Sequence, residues 1–168
     1  NKLQKIAKIL LSEKSKNFGS ELFAKPAKTG MPSPIHQDNY YWAIDDANGI
    51  TFWIALNPSN RKNGGIFYYK KSHKLGLLQH KPSFAPGSSQ TLMYSDSMKF
   101  FEKVTPELKS GDCIIHHSLV VHGSMKNVSS IPRTGLTIRY IGASSKKNKI
   151  LEKLYLSQLK NQIKLRKK

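Results

Sequence analysis

The stretch NGITFWIALNPSNRKNGGIFYY, residues 48–69, decides how the chain is read. Residues 50–56 are a β-branched and aromatic run held between Asn48-Gly49 and Asn57-Pro58, two turn-forming pairs, which predicts a buried strand. Asn63-Gly64-Gly65 then turns the chain into a second apolar strand, Ile66-Phe67-Tyr68-Tyr69. Further along, Ser110-Gly111-Asp112 precedes a run at 113–116, with similar short runs at 119–122 and 136–140. Before the deciding stretch, residues 21–24 read as a short strand and 26–34 as Pro- and Gly-rich punctuation. Residues 75–100 show little periodicity and are expected to form a long loop, a segment type that often serves as a lid. Helical spacing appears only at the ends. Leu3, Ile6, Ile9 and Leu10 predict a helix over 2–14 that stops at Asn17-Phe18-Gly19, and Leu151, Leu154, Tyr155, Gln158 and Leu159 predict a C-terminal one. Short strands between turns, flanked by helices, make a mainly β sandwich or open barrel.

The 168 residues suffice for one domain with a core. A hydrophobic content of 38% excludes a disordered chain. The single cysteine, Cys113, excludes a disulfide framework and a paired-cysteine zinc site, and reads as a buried strand residue. No apolar run is long enough to span a bilayer and no leader-like segment opens the sequence, so a cytoplasmic protein without membrane contact is expected. The net charge of +18 is concentrated at the ends. Residues 1–16 carry five lysines against Glu13; residues 146–168 carry eight lysines and Arg166 against Glu152. Only Arg61, Arg133, Arg139 and Arg166 are arginines. Bidentate reading of bases and phosphates favours arginine, so specific nucleic-acid binding is not expected, whereas a small anionic substrate suits this field. The expected organisation is one domain over 1–168, with a core at about 20–145 and basic helical tails.

Ile35-His36-Gln37-Asp38 is the sharpest local feature. On an extended segment, residues two apart share a face, so the His36 imidazole and the Asp38 carboxylate can meet one metal ion. His122, in Val120-Val121-His122-Gly123-Ser124, lies at another strand end. Two histidines and a carboxylate with open positions form the facial triad of non-haem Fe(II) oxygenases. His116 and His117 compete with His122 for the distal role. Arg133, eleven residues after His122, is placed to clamp a dicarboxylate's far end bidentately. Arg139 is either a second anion clamp or the partner of a core carboxylate. His73 and His80 read as surface or loop residues.

Residues from about 21 to 142 resemble the phytanoyl-CoA dioxygenase family of Fe(II)/2-oxoglutarate oxygenases. The resemblance rests on Lys25-Pro26, His36 through Trp42, Asn63-Gly64-Gly65 and Lys71-Ser72-His73-Lys74. It continues through Gly111-Asp112, His122-Gly123-Ser124, Asn127-Val128-Ser129 and Arg133 through Tyr140. It implies a double-stranded β-helix, a jelly-roll-like barrel with iron at one open end. It implies His36, Asp38 and His122 as Fe(II) ligands, and Arg133 as the partner of the 2-oxoglutarate C5 carboxylate. Trp53 is similar in position to a tryptophan of the family's cosubstrate pocket, where Ser124 adds a hydroxyl. Gln37, Asn39, Tyr40 and Trp42 are implied on the substrate side. Family members usually carry a longer N-terminal segment.

The implied activity is O₂-dependent hydroxylation of a small organic molecule, with 2-oxoglutarate decarboxylated to succinate and CO₂. A carboxylate at 38 favours hydroxylation over the chlorination of related halogenases, which have a small residue there. Two other readings stay open: a nucleic-acid demethylase of the same superfamily, suggested by Arg133-x₅-Arg139, and a non-catalytic binding barrel.

Overall fold

A computed structural model describes residues 1–85 and 88–166 of the chain. Pro86 and Gly87, inside the expected loop, and Lys167 and Lys168, in the expected tail, lie outside the described residues. Helix α1 spans Lys2–Leu10, capped where the Asn1 side chain accepts from the Gln4 N–H at 2.8 Å. A helix of nine residues does not persist alone in water. Tertiary packing holds it: Ala7 and Leu11 are buried against Ile50, Phe52 and Tyr140.

The helix ends earlier than its apolar spacing suggests, at Ser12 with φ 57°. The chain then runs directly into strand β1, Ser15–Lys25. Asn17-Phe18-Gly19, expected to be a helix stop, is instead a bulge within that strand. Strand β2, Ser33–His36, follows inside the segment read as punctuation, and helix α2, Asp38–Trp42, begins two residues later. The predicted central strands are β3, Gly49–Ala55, and β4, Ile66–Tyr69.

Residues 75–100 are not one loop. They carry a hairpin of β5, His80–Ala85, and β6, Ser88–Leu92, followed by a 3₁₀ turn at Ser95–Phe100. Its strands hold Lys81, Pro82, Ser83, Ser88, Ser89, Gln90 and Thr91, which hides the strand signal. Strands β7, Lys103–Val104, β8, Cys113–His117, β9, His122–Ser124, and β10, Arg133–Gly142, complete the sheets. The run at 119–121 is not a strand; it belongs to a turn pinned by Ser118 Oγ donating to the Ala47 carbonyl at 2.6 Å. Helix α3, Lys149–Arg166, extends beyond its apolar spacing at both ends.

Eight of the described strands form two antiparallel four-stranded sheets, ordered β1-β10-β3-β8 and β2-β9-β4-β7, and β5 pairs with β6 in a separate two-stranded sheet. This is the jelly-roll-like, mainly β architecture the sequence predicts. Strand β3 is buried along nearly its whole length because it is covered on both faces. Ile50 and Phe52 point outward beneath α1, while Thr51 and Trp53 point inward to a cavity. On β10, alternation sends Ile138 and Tyr140 to the α1 side and Arg133 and Thr137 inward. Strand β8 is an edge, which leaves Cys113 exposed rather than buried. No described helix is long and apolar enough to cross a membrane.

His80, expected at the surface, is only 2% exposed. It stacks on Tyr40 with ring centroids 4.2 Å apart, and its Nε2 accepts from the Gln37 N–H at 3.1 Å. Burial, with a smaller push from His36 and against the Leu78 carbonyl contact, drives its pKa down to about 4. The unfolded chain therefore binds a proton that the folded chain refuses between about pH 6.5 and 4. The neutral ring contributes stability above pH 6.5, roughly 3 kcal/mol at most, which disappears as pH falls through that window. Denaturant titrations of metal-free protein across pH 7 to 4.5 should show this loss. His80→Phe should reduce the proton linkage by about one proton, even though the variant is less stable at pH 7.

Candidate metal centre and cosubstrate pocket

His36, on the last residue of β2, is the ladder partner of His122, the first of β9. Their rings lie 4.4 Å apart between centroids. Gln37 keeps extended backbone and the next residue starts α2, so Asp38 swings its carboxylate back against both rings. Its Oδ1 lies 3.8 Å from His36 Nε2 and 3.6 Å from His122 Nε2. One ligand atom from each residue falls within 4.8 Å of the others, a grouping able to hold one metal ion.

The far sides of these groups are fixed. His36 Nδ1 contacts the Pro34 carbonyl at 2.8 Å and His122 Nδ1 the Val120 carbonyl at 2.9 Å. A carbonyl only accepts, so each Nδ1 carries the hydrogen and each Nε2 offers its lone pair inward, the tautomer a metal ligand needs. Burial keeps both rings neutral, lowering the His36 pKa and taking His122 down to about 3. For Asp38, burial pushes upward, but the contacts with His122, His116 and His36 outweigh it and keep the carboxylate ionised. Its second oxygen, Oδ2, accepts from the Thr51 hydroxyl at 2.7 Å and from His116 Nε2 at 3.2 Å. Thr51 and His116 are cross-strand partners on β3 and β8, so both emerge on the same face beneath the carboxylate. His116 Nδ1 in turn meets the Tyr68 hydroxyl at 3.4 Å. His117 turns away; its Nδ1 accepts from the Leu119 N–H.

Arg133 is 2% exposed and donates through Nε and Nη2 to the Gly64 carbonyl at 3.2 and 3.0 Å. The Asn63-Gly64-Gly65 turn presents that carbonyl. Gly64 has φ +79°, and a Cβ there would come within 2.8 Å of the Met125 carbonyl oxygen. Buried Lys25 donates to the carbonyls of Met31 and Met125, and burial followed by the Arg133 charge takes its pKa down to about 8. Burial also lowers Arg133, to about 10, which leaves it charged at neutral pH. Among the described residues no carboxylate pairs with either cation. A buried guanidinium held by a backbone carbonyl makes a strong site for an incoming anion.

A cavity of about 90 Å³ joins these parts, lined by His36, Asp38, His122, Arg133, Trp53 and Ser124, together with Thr51, His116 and Thr137. The Arg133 guanidinium lies 5.5 Å from the Trp53 ring. Three residues expected on the substrate side sit elsewhere. Gln37 spends its amide on Gly76, Leu119 and Leu78 backbone groups. Asn39 bonds both backbone groups of Ile44, closing the turn after α2. The Tyr40 hydroxyl donates to Gln158 on α3. The reason is local: 38–42 is helical, so its side chains spread with a period near 3.6 rather than 2. Trp42 does border a second cavity beside the metal ligands, as does Tyr41, which the sequence reading passed over. Thr51 and His116 were also missed as supports for Asp38; the signal for Thr51 was its position two residues before Trp53 on one strand.

A family model described as phytanoyl-CoA dioxygenase matches residues 1–135. Phytanoyl-CoA dioxygenase 1 of Oryza sativa subsp. japonica is 30% identical over 122 residues, 71% of this chain and 42% of that protein. A probable alpha-ketoglutarate-dependent hypophosphite dioxygenase of Stutzerimonas stutzeri is 26% identical over 147 residues, 86% of this chain and 51% of that protein. The chain thus spans about half the length of these relatives. Among solved structures, the epimerase SnoN in complex with Fe3+, alpha ketoglutarate and nogalamycin RO superposes with a TM-score of 0.72 at 21% identity. That match covers 87% of this chain and 57% of the other. With a family match over residues 1–135, most of its length, the chain belongs to the phytanoyl-CoA dioxygenase family.

Proposed function

We propose that this domain is the core of an Fe(II)- and 2-oxoglutarate-dependent dioxygenase that hydroxylates a small, anionic organic molecule. The observation that carries the reading is the pairing of two stranded charges in one cavity. Among the described residues no lysine or arginine pairs with the Asp38 carboxylate, which faces the two imidazole Nε2 atoms, and no carboxylate pairs with buried Arg133. A ferrous ion satisfies the first, and the distal carboxylate of a dicarboxylate satisfies the second. Two imidazoles and one carboxylate suit iron chemistry and leave coordination positions open.

Bound there, iron supplies the O₂ chemistry in which 2-oxoglutarate, O₂ and a substrate C–H become succinate, CO₂ and C–OH. The chain's residues do the rest. His36, Asp38 and His122 would hold the metal. Thr51 and His116 keep Asp38 Oδ2 occupied, so that Oδ1 is aimed at the two Nε2 atoms. Arg133 orients the cosubstrate from its far end, with Trp53 against it. Support for a small-molecule substrate comes from relatives whose names include phytanoyl-CoA and hypophosphite dioxygenases. The basic balance supports its negative charge.

The test is succinate formation from 2-oxoglutarate by iron-loaded protein across a substrate library. Asp38→Ala should abolish it. Arg133→Met should raise the KM for 2-oxoglutarate roughly 10- to 100-fold, the loss of a charged hydrogen-bonded contact of about 1.5–3 kcal/mol. Turnover that ignores 2-oxoglutarate, or that survives Asp38→Ala, contradicts the reading. Replacing both Thr51 by Val and His116 by Phe should weaken iron affinity about 10- to 100-fold in a competition titration, with little change in the far-ultraviolet spectrum.

A further inference from the structure

Beside the metal ligands lies a second, larger cavity of about 420 Å³ that the cosubstrate does not need. His36 and Asp38 form its floor, Tyr41, Trp42 and Tyr155 supply aromatic walls, and Arg139 and Glu21 face it from the sheet. The placement of Arg139 follows from strand alternation. It stands six residues after Arg133 on β10, so both side chains emerge on the barrel's inner face. At about 3.4 Å per residue, the two lie roughly 20 Å apart along the strand. Arg139 is also the ladder partner of Thr51, the residue that grips Asp38. One strand thus carries one cation in the cosubstrate cavity and a second in the neighbouring cavity, both bordered by His36 and Asp38, and only the first is needed for 2-oxoglutarate.

The chain makes room for the second. The β1 bulge puts Gly19 opposite Arg139 with φ +109°, and a Cβ at Gly19 would approach Arg139 Nη2 to 3.2 Å. The guanidinium is not fully used. Its Nη1 lies 3.6 Å from Glu21 Oε2, a loose contact with a half-exposed carboxylate, and among the described residues its buried Nε has no hydrogen-bond partner. A guanidinium held by one loose ion pair keeps N–H groups on its outer nitrogens free to meet a ligand's oxyanion.

We propose that Arg139 binds the acidic group of the substrate, a carboxylate or phosphorus oxyanion on an aromatic or aliphatic body, with the body packed on Tyr41, Trp42 and Tyr155. This rests on the hydroxylase reading above. Glu21 is the exposed counter-ion that the substrate's acid displaces. A planar guanidinium offers an oxyanion two parallel N–H groups, whereas the corresponding amide or alcohol of the same body gains nothing comparable. Arg139 therefore sets which end of the substrate faces away from the metal.

Calorimetric titration of the full chain tests this, in metal-free form and loaded anaerobically with Fe(II) and saturating 2-oxoglutarate. The probes are phenylacetate, phenylphosphonate and phenylacetamide. At least one of the two anions should bind 10-fold or more tightly than the amide, and which one it is distinguishes a carboxylate from a phosphorus acid as the preferred group. Arg139→Gln should erase the discrimination while leaving 2-oxoglutarate affinity unchanged, Arg139→Lys should restore part of it, and Glu21→Gln should preserve or strengthen it. No binding, equal binding of anion and amide, or discrimination that survives Arg139→Gln in folded protein overturns the proposal. Failure of metal-dependent 2-oxoglutarate binding would instead strike the hydroxylase reading, and the metal-free titration still reports on Arg139.

Discussion

The Asp38 carboxylate is the interaction on which the rest depends. It is ionised, nearly buried and placed where five elements meet: β2 supplies His36, α2 carries Asp38 itself, β3 supplies Thr51, β8 His116 and β9 His122. A buried negative charge without a counter-charge costs several kcal/mol even after relaxation. Two hydrogen bonds to Oδ2 offset part of that cost, and Oδ1 is left facing lone pairs rather than donors. Only a cation resolves that arrangement. The same logic with opposite sign holds at the other end of the cavity, where Arg133 is held by the Gly64 carbonyl and, among the described residues, pairs with no carboxylate.

These two charges impose order on the fold around them. The bulge in β1, the turn at Gly64 and the short helix after Gln37 all depart from regular structure, and each serves the cavity. The bulge admits Arg139, the turn hands a carbonyl to Arg133, and the helix start redirects Asp38. Regular structure supplies the scaffold instead. Strand β3 anchors α1 on its outer face through Ile50 and Phe52 and presents Thr51 and Trp53 on the inner one. The single alternation of one strand therefore couples the packing of the core to the lining of the site.

Much of this was legible in the chain, because local chemistry writes it. Turn pairs such as Asn48-Gly49 and the Asn63-Gly64-Gly65 triplet mark strand ends by backbone preference alone, and His36-x-Asp38 keeps its meaning whether or not the segment stays extended. The hairpin at 80–92 was not legible, since its sides are polar and it gains its strand character from packing beside β2. Burial of His80 depends on stacking with Tyr40, which lies forty residues away in sequence. The orientations of Gln37, Asn39 and Tyr40 were lost to a five-residue helix too short to show a helical period. His116 was weighed as a rival of His122; its role beneath Asp38 emerges only from its register opposite Thr51.

The claim that the Asp38 carboxylate awaits a cation is tested most directly by anaerobic calorimetric titration of the purified chain with Fe(II). The account predicts saturation at one iron per chain, tighter binding once 2-oxoglutarate is present, and loss of both effects in Asp38→Asn. Iron binding that fails to saturate at one per chain, or that is indifferent to the residue at 38, would contradict it.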